Sequence, residues 1–142
     1  MRKIKRKNYK DWQSYYWNYQ KFLAKDYYIP YLRKNSSNFN RTANINILDI
    51  GCGNGGFLYA FKKDFKKNIK ANGIDIKKFS SWDKNPTDYS VHNILKNEND
   101  NFIEKYDLII LRDVIEHINF KDKKRFMRIV TSFLKNEGEI LV

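Results

Sequence analysis

The chain has 142 residues, with 28 Lys and Arg against 16 Asp and Glu and a formal net charge of +12. An apolar fraction of 42% and an aromatic fraction of 16% exclude a disordered polyelectrolyte, and this length supports one domain with its own core. Cys52 is the single cysteine, which excludes a disulfide framework and a thiolate zinc site, and no apolar run reaches the roughly 18 residues of a membrane span. The chain therefore reads as a soluble protein of a reducing cytoplasm. Its basic residues are spread from end to end and form no base-reading motif. The run Arg2, Lys3, Lys5, Arg6, Lys7 and Lys10 reads as a solvated tail, so nucleic acid is not the expected partner.

Tyr9, Trp12, Tyr16, Tyr19 and Leu23 recur at steps of three and four, one face of an amphipathic helix, with Tyr15 and Trp17 off the stripe. Pro30 suits the first turn of a second short helix that continues through Tyr31 and Leu32. The polar stretch from Asn35 to Asn44 reads as a linker. Residues 1–44 are accordingly expected to form an amino-terminal helical extension, and 45–142 a separate domain.

From Ile45 the pattern alternates between strand and helix. Ile45–Ile50 is a buried strand, and Phe57, Leu58, Phe61 and Phe65 mark the helix after it. Ala71–Ile76 is a second strand, a third lies near Tyr89–His92, and Asp107–Leu111 is the fourth. Phe126, Ile129, Val130, Phe133 and Leu134 predict a helix closed by Gly138 in the left-handed conformation, and Glu139–Val142 opens a fifth strand. The implied fold is α/β: a Rossmann-like, doubly wound, mainly parallel sheet of about five strands with right-handed crossovers. Ligands of such sheets sit at the carboxyl ends of the strands.

The first strand runs into Asp49-Ile50-Gly51-Cys52-Gly53-Asn54-Gly55-Gly56. Glycines there let the backbone turn sharply and approach a ligand in front of a helix amino terminus. Gly51, Gly53 and Gly56 also satisfy the dinucleotide pattern, so the loop alone leaves the nucleotide open. Asp49, at the strand end, suits a cationic amino-acid group better than a pyrophosphate. Asp75, 24 residues after Gly51 in Gly73-Ile74-Asp75-Ile76, is placed to accept from ribose hydroxyls.

These strings, together with residues 106–118 (YDLIILRDVIEHI) and 133–142 (FLKNEGEILV), resemble the signatures of class I S-adenosylmethionine-dependent methyltransferases over residues 45–142. The likeness is greatest to the small-molecule branch that includes ubiquinone-biosynthesis O-methyltransferases and sugar methyltransferases. The resemblance implies S-adenosyl-L-methionine as cofactor, held by Asp49, Gly51, Cys52, Gly53, Gly55, Asp75 and Ile76. It also places Asn93 and Ile94, with His92, at the adenine, where the family more often has Asp in place of Asn93, and Arg112 beside the cofactor.

The same resemblance assigns the chemistry to Asp113, Glu116 and His117. His117 is the candidate base, because imidazole titrates near neutrality, and a local packing role is its alternative. In the quinone-biosynthesis relatives an acid, a Glu-His pair and a later His hold a divalent metal; no later His precedes Val142, and no metal is assigned. Trp12 and Tyr16 are candidates for a cover that excludes water. The complete family fold has seven strands, so the chain is expected to be an incomplete version of it. The expected function is methyl transfer to an O or N atom of a small molecule. A non-catalytic binding or scaffold protein, an RNA methyltransferase and an NAD-dependent enzyme are the alternatives.

Overall fold

The computed structural model describes residues 12–37, 40, 43–65, 68–84 and 88–142. The basic run and Tyr9 lie outside the described residues. Two helices come first, α1 (Trp12–Leu23) and α2 (Ile29–Asn35), joined without a break by a π-helical stretch, Ala24–Tyr28. Then follow β1 (Asn44–Ile50), α3 (Gly56–Asp64), β2 (Asn68–Asp75), β3 (Tyr89–Val91), β4 (Tyr106–Ile110), α4 (Phe120–Ser132) and β5 (Leu134–Leu141). Three short 3₁₀ turns, Ser80–Lys84, Asp100–Phe102 and Ile115–His117, complete the connections.

The strands form one sheet in the order β3-β2-β1-β4-β5, and every pairing is parallel. Alternation along each strand divides the core. Ile45, Ile47, Leu108 and Ile110 point to one face, where Ala24, Ile29, Leu32, Phe57 and Phe61 cover them. Leu48, Ile50, Ile109 and Leu111 point to the other, against Phe126, Val130 and Phe133. A sheet buried on both faces explains why consecutive apolar residues, Ile47 and Leu48 in β1 and Leu108 to Ile110 in β4, are buried alike.

Several boundaries differ from the sequence reading for definite reasons. Pro30 occupies the opening turn of α2, as expected, but that helix starts at Ile29 and follows the π stretch without a break. Along α1 the inward line is Tyr16, Trp17, Gln20 and Ala24, while Trp12 is 57% exposed and Tyr19 lies outside. On the outer side Tyr15 stacks on Tyr19, Trp12 lies tilted against Tyr15 and stacks on the inward Tyr16, and Trp17 turns in against Tyr59 at 5.5 Å. Of the aromatic stripe, Tyr16 and Leu23 thus turn toward the core, and Trp12 and Tyr19 do not.

β2 starts at Asn68 and ends at Asp75, leaving Ile76 beyond it and 72% exposed. α4 stops at Ser132, six residues before Gly138, and Phe133 caps it. Pairing passes from Tyr106 with Leu134 directly to Leu108 with Glu139, so the intervening residues bulge from β5, and Glu137 carries the positive φ of 64°. Gly138 is needed for close approach: a Cβ there would lie 3.0 Å from the Tyr106 carbonyl oxygen. In the supposed linker Ser36 is buried and its hydroxyl donates to the Glu139 carboxylate at 2.5 Å, fastening α2 to β5.

Phe61 is fully buried between Phe57 and Phe65, with both ring centroids at 5.7 Å. Phe61→Ala is expected to destabilise the fold by about 3–5 kcal/mol in urea unfolding, the cost of a large aromatic cavity. A loss under about 1 kcal/mol would show that this stack does not hold the helical layer to the sheet.

Candidate cofactor site

Strand order reverses between β1 and β4, and the crevice at their carboxyl ends holds the candidate residues. The glycine loop is fastened at its base by two bonds, as the amides of Gly51 and Cys52 both donate to the Ile74 carbonyl at 2.8 and 3.0 Å. Gly51, Gly53 and Gly55 all have positive φ. At Gly51 a Cβ would stand 2.5 Å from Cγ2 of Val114, so this glycine is required by crowding as well as by conformation. Asp75 reaches from the end of β2 and accepts from the Gly53 amide through Oδ2 at 2.9 Å.

Three side chains that the sequence reading missed hold the loop's outward carbonyls. Trp82 Nε1 donates to Gly53 O at 2.8 Å, Ser81 Oγ to Asn54 O at 2.6 Å, and the Tyr89 hydroxyl to Gly55 O at 3.1 Å. Trp82 is buried within an otherwise polar turn and stacks on Tyr89 at 5.4 Å. The only available signal was chemical: a buried indole needs an acceptor for its one N–H. Cys52 is buried against Gly73, and burial, reinforced by the charges of Asp49 and Asp75, pushes its thiol pKa far up. The thiol stays protonated and packs the loop.

Asp49 is fully buried, and neither carboxylate oxygen has a hydrogen-bond partner among the described residues. Desolvation pushes its pKa up to about 6, Arg112 pulls it down, and Asp75 adds a smaller upward push. Arg112 is itself buried, lies 3.9 Å from the centroid of the Phe57 ring, and donates through Nη1 to Gln20 Oε1 on α1, while its Nε has no partner among the described residues. Tyr16, also on α1, brings its hydroxyl over Gly53, and burial raises its pKa. A buried carboxylate without a donor is costly, and a cationic ligand group beside it would remove that cost.

A cavity of about 380 Å³ opens beside the loop, between Gly51, Asp75, Ile76 and Asn93 on one side and Val114 and His117 on the other. Ile50, Ile74, Ile94 and Leu95 make most of it apolar, the lining a flat base requires. Asp75 stands at its edge with Oδ1 outside the Gly53 bond. These features fit an adenosine. The cavity stops short of Asp49 and Arg112, which do not line it; the Gln20 bond from α1 closes over Arg112, so access to this acidic centre requires α1 to give way.

Of the three residues assigned to chemistry, Asp113 and His117 line the cavity and Glu116 does not. All three are exposed, and Asp113 adopts a φ of 51°, a conformation Asp tolerates. Among the described residues no group of three or more His, Cys, Asp and Glu side chains is assembled to hold a metal ion. His92 lines the cavity too, with Nε2 2.9 Å from Asn99 Oδ1 and its ring edge-on to Phe102.

The five parallel strands, the glycine loop and an acid at the end of β2 define a Rossmann-like fold of the class I methyltransferase type. The model of a methyltransferase domain family matches residues 19–142, and the chain belongs to that family. No curated protein matches the sequence. Among solved structures, the plantazolicin methyltransferase BpumL in complex with SAH is 23% identical with a TM-score of 0.64, over 90% of this chain and 49% of that one. A protein of Pyrococcus horikoshii OT3 is 20% identical with a TM-score of 0.63, over 86% and 56%. Coclaurine N-methyltransferase bound to N-methylheliamine and SAH is 19% identical with a TM-score of 0.57, over 79% and 33%. The chain thus spans about half the length of the first two and a third of the third. No helix among the described residues is long and apolar enough to cross a membrane.

The Asp49 carboxyl has a definite pH signature. Its folded pKa of about 6 lies above its ordinary value, so between roughly pH 4 and 6 the folded state holds a proton that the unfolded chain has released. The stabilisation this gives is present at acid pH and is lost as pH rises through 6. The stability difference between Asp49→Asn and wild type, measured by urea unfolding without ligand, is expected to grow in favour of the Asn variant by about 3 kcal/mol across that window. A difference independent of pH would mean that the carboxylate is charged and compensated throughout.

Proposed function

We propose that this chain is the cofactor-binding part of an S-adenosylmethionine-dependent methyltransferase that transfers methyl to an O or N atom of a small molecule. The observation that carries the reading is the buried, unpartnered carboxylate of Asp49 behind a glycine loop whose neighbouring cavity is apolar and edged by Asp75. A dinucleotide brings a pyrophosphate to such a loop, and a buried carboxylate would repel it; an amino-acid ammonium group is attracted.

In this reading Asp49 receives the ammonium of the methionine end, and Arg112, held by Gln20 and the Phe57 ring, balances the remaining charge. Asp75 accepts from the ribose hydroxyls while keeping Gly53 in place. Gly51, Cys52, Gly53 and Gly55 supply the cradle, and Ile76, Asn93 and Ile94 border the base. When bound, S-adenosylmethionine supplies a methyl group already activated on a sulfonium. The protein then has to align the acceptor, exclude water and, for a hydroxyl, take a proton. His117 is the residue we assign to the proton, with Asp113 beside it on the cavity wall and Glu116 adjacent in the chain. Tyr16 and Gln20 on α1 would exclude water from the methionine end.

Calorimetry tests the cofactor reading directly. S-adenosylhomocysteine is expected to bind and NAD to bind negligibly, and Asp75→Ala should weaken S-adenosylhomocysteine binding by roughly 1–3 kcal/mol, the range for hydrogen bonds to a charged group. Preference for NAD would overturn the reading, and unchanged affinity would remove Asp75 from the site.

His117 is tested separately. His117→Ala should lower methyl transfer by roughly a hundredfold while S-adenosylhomocysteine affinity stays within about threefold, the signature of a lost base. Near-normal turnover would leave His117 a packing role. Binding of the cofactor without turnover on any acceptor would favour the scaffold alternative.

A further inference from the structure

A second concavity, of about 690 Å³, runs along the flank of α1 and α2 and shares no lining residue with the adenosine cavity. Five aromatic side chains from one helical run line it, Tyr19, Phe22, Tyr27, Tyr28 and Tyr31, and Leu141 at the end of β5 faces them. The π-helical stretch supplies Tyr27 and Tyr28. No charged side chain lines this groove, although 31% of the residues are charged. Such a lining leaves a charged ligand without a counter-ion in a partly desolvated site, and it offers a flat ring several faces and edges to pack against. The adenosine cavity is different, with Asp75, Asp113 and His117 in its walls.

Tyr28 connects the groove to the acidic centre. Its ring packs edge-on against Phe57 at 5.1 Å, and Phe57 lies against the Arg112 guanidinium. Burial raises the pKa of the Tyr28 hydroxyl, Arg112 draws it down, and Asp113 and Asp49 push it up, so these charges act on the inner wall of the groove. Asp113 borders both hollows: it lines the adenosine cavity and acts on that wall. We propose that the groove is the acceptor subsite and that it takes an uncharged molecule with a planar aromatic ring system. The proposal rests on the S-adenosylmethionine reading and deepens it by naming the class of acceptor. The groove has the size of a small-molecule pocket, a range of roughly 300–1,000 Å³.

The probe is 2-naphthol, compared with decahydro-2-naphthol, which keeps the hydroxyl and the carbon skeleton but has no flat faces. Calorimetric affinities are measured on the full chain saturated with S-adenosylhomocysteine. Wild type is expected to bind 2-naphthol roughly tenfold more tightly than the saturated alcohol, about the worth of one or two aromatic pairs. Hydrophobicity alone would favour the saturated compound. Tyr31→Ala, at an exposed position, should weaken 2-naphthol about fivefold or more and leave S-adenosylhomocysteine within about twofold. Phe120→Ala, which removes an exposed aromatic on α4 at the other face of the sheet, should change neither affinity. Should Tyr31→Ala lack a cooperative thermal transition, Tyr27→Ala takes its place with the same expected outcome.

Equal affinities for the two alcohols overturn the proposal, as do absence of 2-naphthol binding, displacement of S-adenosylhomocysteine by 2-naphthol, and an equal loss in Phe120→Ala. A wild-type chain that sediments as a dimer and becomes monomeric in Tyr31→Ala overturns it too, because a second copy then fills the groove. Failure of S-adenosylhomocysteine to bind overturns the cofactor reading and is a distinct result, since 2-naphthol affinity measured without it still reports on the groove.

Discussion

Asp49 is buried near the end of the central strand, and among the described residues no donor reaches its carboxylate; the arrangement around it follows from that cost. The nearest compensation is Arg112, just past the end of the adjacent strand β4, which is also buried. The Phe57 ring lies against the guanidinium and Gln20 bonds its edge, so one residue from α3 and one from α1 hold the cation in range. The amino-terminal helices are thereby tied to the chemistry of the sheet as well as to its apolar face. Removing Gln20 would affect the electrostatics of a residue on a different element, because the coupling runs through a single guanidinium. Folding carries the cost of burying both groups, and a cationic ligand group beside Asp49 would lower it.

The glycine loop makes a complementary point about preorganisation. Its conformation is demanding, with left-handed backbone at three glycines, yet its carbonyls are bonded outward to Trp82, Ser81 and Tyr89 and its base is bonded to Ile74. A loop fixed in this way loses little further freedom when a ligand arrives, which leaves more of the contact energy to appear as affinity. Two of the residues that fix it, Ser81 and Trp82, lie in the 3₁₀ turn after β2, and the third, Tyr89, opens β3.

The existence of the strands and their mainly parallel arrangement were legible in the sequence because apolar residues buried on both faces leave a strong signal, as at Ile47, Leu48 and Ile50 and from Leu108 to Leu111. The loop and its acids were legible because so dense a run of glycine flanked by strand-end acids, Asp49 buried and Asp75 half-buried, is unusual in sequence. Three things were not. The inward face of α1 was legible only at Tyr16 and Leu23, because surface aromatics mimic a core stripe and the inner face includes a polar residue, Gln20, whose side chain bonds a partner 92 positions away. The end of α4 was misplaced because Gly138 serves close packing against Tyr106 and the left-handed residue is Glu137. The clamp by Trp82, Ser81 and Tyr89 was invisible because side-chain bonds to backbone carbonyls leave no periodicity.

The π-helical stretch between α1 and α2 has a consequence for how this chain tolerates change in length. Ala24–Tyr28 takes up one residue more than ordinary helical winding would accommodate, so α1 and α2 are out of phase with each other by that amount. Each residue of an α-helix advances the winding by about 100°. Deleting one residue within the stretch would restore regular winding and rotate α1 by about that angle relative to α2. Gln20 would then face away from Arg112, and the outer aromatics Trp12, Tyr15 and Tyr19 would be carried toward the sheet. The irregularity acts as a phase setting: it determines which side of α1 meets the acidic centre, and a single-residue indel there would change the site without altering any residue that lines it.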